Sequence, residues 1–121
     1  MTVGYLDTNI LIAFFGGEIA VKNALERFAG LKLPAAAYVE FMTGLKTAQE
    51  EAVFDEVIHS LFDIVQTDMK ICREATALRR KMRLKLPDAL IYATARAGGG
   101  VLITRNTKDF DPQAKDIDIP G

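Results

Sequence analysis

Short apolar runs rich in β-formers alternate along this chain with stretches whose apolar residues recur at helical spacing, and that alternation restricts the fold more than any other feature. Residues 2–6, 31–35, 63–66, 101–104 and 116–120 read as strands. Pro34 must then sit at the end of its strand or at an unpaired position, since proline donates no ladder hydrogen bond. Helices are predicted over 10–15, 18–29, 36–48 and 49–62, then from a cap at Thr67 or Asp68, and again from Pro87-Asp88 to the stop at Gly98-Gly99-Gly100. The run Ile10 to Phe15 is too apolar to face water, and Val21, Ala24, Leu25 and Phe28 form a stripe that packs on the sheet. Ile71, Ala75, Leu78 and Met82 repeat the pattern. Neighbouring parallel strands need crossover connections, so the expectation is a three-layer α/β fold with a mostly parallel central sheet.

A chain of 121 residues, half of them hydrophobic, fills one core and not two, so residues 1–121 read as a single domain. No apolar run approaches the roughly 20 residues that span a bilayer, and the N-terminus lacks a secretory signal, which predicts a cytoplasmic protein away from membranes. The lone Cys72 excludes an internal disulfide and a cysteine metal cluster, and reads as core filling. Fifteen Lys and Arg against sixteen Asp and Glu leave a net charge of −1, so no global basic field marks a nucleic-acid binder. Arg79, Arg80, Lys81, Arg83 and Lys85 are nonetheless concentrated just before Asp88. Such a stretch either holds a polyanion or complements the C-terminal dipole of a helix.

Acids and amides stand at the edges of nearly all-apolar segments: Asp7 after a strand, Glu40 in a helix, Asp88 at a helix start, Asn106 and Asp109 after a strand. Taken singly, each has an ordinary structural use as a cap, a helix surface residue or a turn residue. Taken together, they are drawn toward one another as the apolar segments form a core. Like charges brought close either raise a pKa or recruit a cation, and an all-oxygen ligand set favours Mg2+, with Mn2+ as a substitute. In open parallel sheets the crevice lies beyond the carboxyl ends of strands, where Asp7 and Asn106 are delivered.

Tyr5-Leu6-Asp7-Thr8-Asn9, Glu40-Phe41-Met42-Thr43-Gly44, Leu86-Pro87-Asp88-Ala89-Leu90-Ile91-Tyr92-Ala93-Thr94-Ala95 and Leu102-Ile103-Thr104-Arg105-Asn106-Thr107-Lys108-Asp109-Phe110 together resemble a PIN domain, specifically the VapC branch of toxin–antitoxin toxins. The resemblance spans nearly the whole chain. It implies a magnesium-dependent endoribonuclease whose acidic pocket is formed by Asp7, Glu40 and Asp88, with products carrying a 5′-phosphate and a 3′-hydroxyl. One departure is that a fourth acid of the wider pattern falls near Asn106, an amide, so a single resident metal held mainly by Asp7 and Asp88 is expected unless Asp109 turns inward. Thr8 and Thr104 are then hydroxyls that orient the carboxylates, with Asn9 beside them. Arg79, Arg80, Arg83, Lys85 and Arg105 are candidate contacts to RNA phosphates. The resemblance further implies a homodimer and a VapB-type antitoxin partner.

Several other chemistries fail on the residues. A receiver domain needs paired acids after its first strand, but Asp7 stands alone and Asp55 falls inside a helical pattern. An aspartyl-phosphate phosphatase wants an acid where Asn9 stands, and a calcium loop wants an oxygen ligand and a glycine where Leu11 and Ile12 stand. A paired-histidine ribonuclease is excluded because His59 is the only histidine, and it reads as a surface residue. An RNA-processing PIN nuclease without an antitoxin, and a PIN-fold binding module without catalysis, stay open at the level of sequence.

Overall fold

A computed structural model describes residues 2–120. The elements run β1 (Val3–Leu6), α1 (Thr8–Phe15), α2 (Ile19–Leu25), β2 (Gly30–Pro34), α3 (Ala35–Thr43), α4 (Ala48–Leu61), β3 (Asp63–Val65), α5 (Met69–Met82), α6 (Leu86–Ala97), β4 (Val101–Ile103) and β5 (Ile117–Asp118). The strands form one sheet in the order β3-β2-β1-β4-β5, and every pairing is parallel. The first two crossovers step one way across the sheet and the third returns past β2 and β1. Right-handed crossovers that step in opposite directions put helices on both faces of the sheet, the expected three layers, with α3 also touching α6.

Strand order reverses between β1 and β4, which opens the crevice at their carboxyl ends. Leu6 pairs with Ile103 in register, and the Asp7 N–H continues the ladder by donating to Ile103 O at 3.0 Å. Leu6, Ile10, Leu11, Leu33, Ile91, Leu102 and Ile103 are fully buried around this junction, so the strand ends that carry polar residues are fixed by the densest part of the core. Pro34 ends β2, as its missing N–H requires.

The chain between α6 and β4 is dictated by Tyr5. Gly98 and Gly100 pack so closely on the Tyr5 ring that a Cβ on either would collide with it, and one on Gly100 would also meet Val3 O at 2.7 Å. Gly99 between them turns through the left-handed region at φ +69°.

Several boundaries and faces depart from the sequence reading. α2 ends at Leu25 rather than continuing to 29, because Ala29 N must donate to Thr2 O at 2.9 Å to start β2 beside β1. α3 stops at Thr43 with Gly44 as its cap. Ala48 belongs to α4, whose first turn is held by Thr47 Oγ1 accepting from Glu50 N at 3.1 Å. Ile12 is 57% exposed, since α1 is too short to be surrounded and buries Ile10, Leu11 and Ala13 instead. Cys72 is half-buried and stands outside the core cluster, not filling it as the sequence suggests, whereas His59 is exposed on α4, as read. Among the described residues no helix is long and apolar enough to cross a membrane.

Candidate active site

Asp7 is delivered by the last residue of β1 and serves as N-cap of α1, its Oδ1 accepting from Thr8 N at 2.7 Å. Its Oδ2 accepts from Thr104 Oγ1 at 2.6 Å and from Asn9 Nδ2 at 3.2 Å. Only 4% of Asp7 is exposed. Burial raises its pKa above the ordinary carboxylate value, and the bonds from Thr104 and Thr8 oppose that rise, while nearby Glu40 adds to it.

Thr104, fully buried beyond the end of β4, is the hub of this cluster. Its hydroxyl donates to Asp7 and accepts from Asn106 N at 3.0 Å, with Asn9 Nδ2 a further 3.5 Å contact. Asn9 closes the circuit by accepting from Arg105 N at 3.1 Å. The ends of β1 and β4 are thereby stitched together by side chains where the backbone ladder stops.

Glu40 comes from the exposed side of α3 and is drawn to the cluster by Thr8, whose hydroxyl donates to Glu40 Oε1 at 2.6 Å. Asp88 lies in the first turn of α6, behind the N-cap Lys85 and next to Pro87, rather than capping the helix itself. Its pKa is also raised, chiefly by partial burial, then by the negative charges of Asp7, Asp109 and Glu40, against a smaller opposing effect of Lys85. Asp88 thus sits within electrostatic reach of all three other carboxylates.

The loop after β4 holds both Asn106 and Asp109. Asn106 and Asp109 bond each other reciprocally, Nδ2 to Oδ2 at 3.0 Å and Asp109 N to Asn106 Oδ1 at 3.1 Å. The pair ties the loop together, and the charge of Asp109 acts on Asp88 beside those of Asp7 and Glu40.

The donor set is all oxygen, which suits a hard divalent cation. Among the described residues, no three Asp, Glu, His or Cys side chains are preassembled to hold an ion. The chemistry still fits: the Asp88 carboxylate has no hydrogen-bond or ion-pair partner among the described residues, and its raised pKa marks a charge awaiting compensation. Asp7 and Glu40 each retain lone pairs beyond the bonds they accept.

The candidate phosphate contacts divide. Arg80, Arg83 and Lys85 are exposed, but Arg79 Nε donates to Leu84 O at 3.2 Å, tying down the chain after α5. Arg105 is held by Glu18 in a two-pronged ion pair, with Nη2 to Oε1 at 2.6 Å. That pair, and the Thr8–Glu40 bond, escaped the sequence reading because partners 87 and 32 residues apart leave no local pattern.

The PIN domain model matches residues 4–115. No curated protein matches the chain. Among solved structures, a chain of a toxin–antitoxin complex from Klebsiella pneumoniae is 37% identical, with a TM-score of 0.87 over 98% of both chains. One from VapBC2 of Rickettsia felis, bound to a DNA fragment from their promoter, is 21% identical with a TM-score of 0.80, covering 96% of this chain and 97% of that one. One from DNA-bound VapBC of Salmonella typhimurium is 17% identical with a TM-score of 0.79, covering 98% and 97%. The match embraces the end of β1, Glu40, Asp88 and the loop after β4 alike, and the chain belongs to the PIN domain family.

Proposed function

We propose that this protein is a metal-dependent endoribonuclease and the toxin of a VapBC-type pair. One observation carries the reading: Asp88 is partly buried, without a hydrogen-bond or ion-pair partner among the described residues, within electrostatic reach of Asp7, Asp109 and Glu40 near the strand-order reversal, and its pKa is raised first by that burial and then by those three charges. A fold gains nothing in stability from such an arrangement, so its use lies in binding positive charge.

Asp7 and Asp88, with Glu40, would hold Mg2+ or Mn2+. When bound, the ion supplies Lewis acidity for phosphodiester hydrolysis. Thr104, Asn9 and the Thr8 backbone fix both oxygens of Asp7, which keeps that carboxylate in one orientation and opposes the rise in its pKa that burial causes. The Thr8 hydroxyl holds Glu40 by Oε1, leaving Oε2 to accept a proton from the attacking water. In-line attack on phosphorus then yields a 5′-phosphate and a 3′-hydroxyl. Lys85, within electrostatic reach of Asp88, and the exposed Arg80 and Arg83 that precede it in the chain would draw in the RNA backbone.

The likeness to a toxin–antitoxin complex at 37% identity supports an antitoxin partner. A basic antitoxin side chain entering the hollow would supply the charge that the carboxylates lack, and so inhibit by competing with the metal. The protein works as a cytoplasmic homodimer in this reading.

The decisive experiment is cleavage of a mixed RNA pool by purified protein in Mg2+, Mn2+ or chelator, comparing wild type with Asp88→Asn. Metal-dependent cleavage lost in the variant is expected. Cleavage that persists in chelator and in the variant would overturn the mechanism, and a folded wild type that cleaves nothing would point to a binding module.

A further inference from the structure

Glu18 stands at the N-cap of α2, where an acidic side chain ordinarily turns back onto the free N–H groups of the first turn. It makes no such bond. Its carboxylate reaches across to the loop after β4 and takes both prongs of the Arg105 guanidinium, Nη1 to Oε2 at 3.1 Å and Nη2 to Oε1 at 2.6 Å. Meanwhile the backbone N–H of Arg105 is bonded to Asn9, which is bonded to Asp7, so this guanidinium is rooted at the rim of the acidic hollow.

A planar fork that matches two carboxylate oxygens matches two phosphate oxygens equally well. The pair is exposed, with side-chain accessibilities of 37% for Arg105 and 48% for Glu18, so exchanging one oxyanion for another strands no charge away from water. Gly16 and Gly17 precede Glu18, and Gly17 at φ +80° forms a turn with no neighbour within 4 Å of its would-be Cβ. The carboxylate is itself about half exposed and follows an uncrowded glycine turn.

We propose that Arg105 binds a backbone phosphate of the RNA, and that Glu18 occupies the same fork when RNA is absent, as a built-in competitor displaced on docking. This rests on the nuclease reading above and adds to it a named contact and its control. Docking then exchanges one ion pair for another, and the carboxylate sets a threshold against weakly held polyanions.

The test is fluorescence anisotropy with an end-labelled single-stranded RNA in excess chelator, so that cleavage does not consume the probe. Glu18→Gln, and likewise Glu18→Ala, should bind about two- to fivefold tighter than wild type, the factor that corresponds to removing one exposed ion pair. Arg105→Gln should bind more weakly than wild type, and adding Glu18→Gln to it should change nothing further. Glu26→Gln removes the same charge at the far end of α2 and should leave affinity unchanged. Equal binding by wild type and Glu18→Gln, or a gain that persists without Arg105, would overturn the competitor while leaving metal-dependent cleavage by wild type intact. Absence of both RNA binding and cleavage in wild type would remove the nuclease reading along with it.

Discussion

Two carboxyl groups, Asp7 and Asp88, carry raised pKa values for the same first reason, burial, but only Asp7 is compensated by hydrogen bonds. Folded Asp88 binds its proton more tightly than unfolded Asp88. Between the two pKa values the native state is therefore the more protonated, stability falls as pH rises, and the full cost is present above the folded value. Asp88→Asn removes that cost. In chelator at neutral pH its Tm should exceed that of wild type by about 2–4 °C, the scale of a single partly exposed charge change, and the gap should close as pH is lowered through the raised pKa. Scanning calorimetry against pH checks this; a gap that widens on acidification would contradict it. Saturating Mg2+ should reverse the order by stabilising wild type alone, by about 2.7 kcal/mol at a hundredfold excess over Kd. Thr104→Val has the opposite sign. It strips Asp7 of a 2.6 Å donor and leaves Asn106 N without its acceptor, so a loss of about 1–3 kcal/mol is expected in denaturant melts.

At the scale of elements, the three glycines between α6 and β4 make separable predictions. Gly100→Ala drives a methyl into the Tyr5 ring and Val3 O, where neither side can yield, and should cost at least the 1–3 kcal/mol typical of overpacking. Gly99→Ala meets no atom within 4 Å and should cost only the roughly 1–2 kcal/mol of a left-handed alanine. Urea midpoints for the two variants rank them. Those glycines were legible in the sequence as a helix stop, yet their real duty, making room for an aromatic ring on β1, was not. The same division runs through the molecule. Strand positions and the stripe Ile71, Ala75, Leu78 were legible because period and burial are local properties of sequence. The early end of α2 and the exposure of Ile12 were not, since each is decided by what lies across the sheet or fails to cover the helix. Asp7, Glu40, Asp88 and Asp109 all stood out by their apolar surroundings, and the resemblance to a PIN domain singled out the first three. The contribution of Asp109 depends on how Asn106 folds the loop, which periodicity does not encode.

For the whole molecule, a net charge of −1 conceals a local separation, with four carboxylates near one crevice, Lys85 within electrostatic reach of Asp88, and the exposed Arg80 and Arg83 shortly before it in the chain. RNA affinity should therefore fall steeply with salt although the protein is slightly acidic, and a log–log slope measured by anisotropy should flatten by about 0.7 for each phosphate contact removed, as for single strands. Next to Glu40, an apolar cleft is lined by Ala35, Ala36, Val39, Leu86, Pro87 and Leu90, and Val39 and Leu86 are more than half exposed. If this face joins the proposed homodimer, Leu86→Lys should convert dimer to monomer in light scattering while the circular dichroism spectrum is retained.

The central strand β1 comes early in the chain and its neighbour β4 comes late, with Thr104 following Asp7 by 97 residues. A growing polypeptide on the ribosome thus lacks the residue that orients Asp7 until the 97 residues from Asp7 to Thr104 have been made. For the nuclease proposed above, a half-made copy would thereby be kept from RNA by topology alone, and an inhibitor made at the same time would have that interval of synthesis in which to arrive.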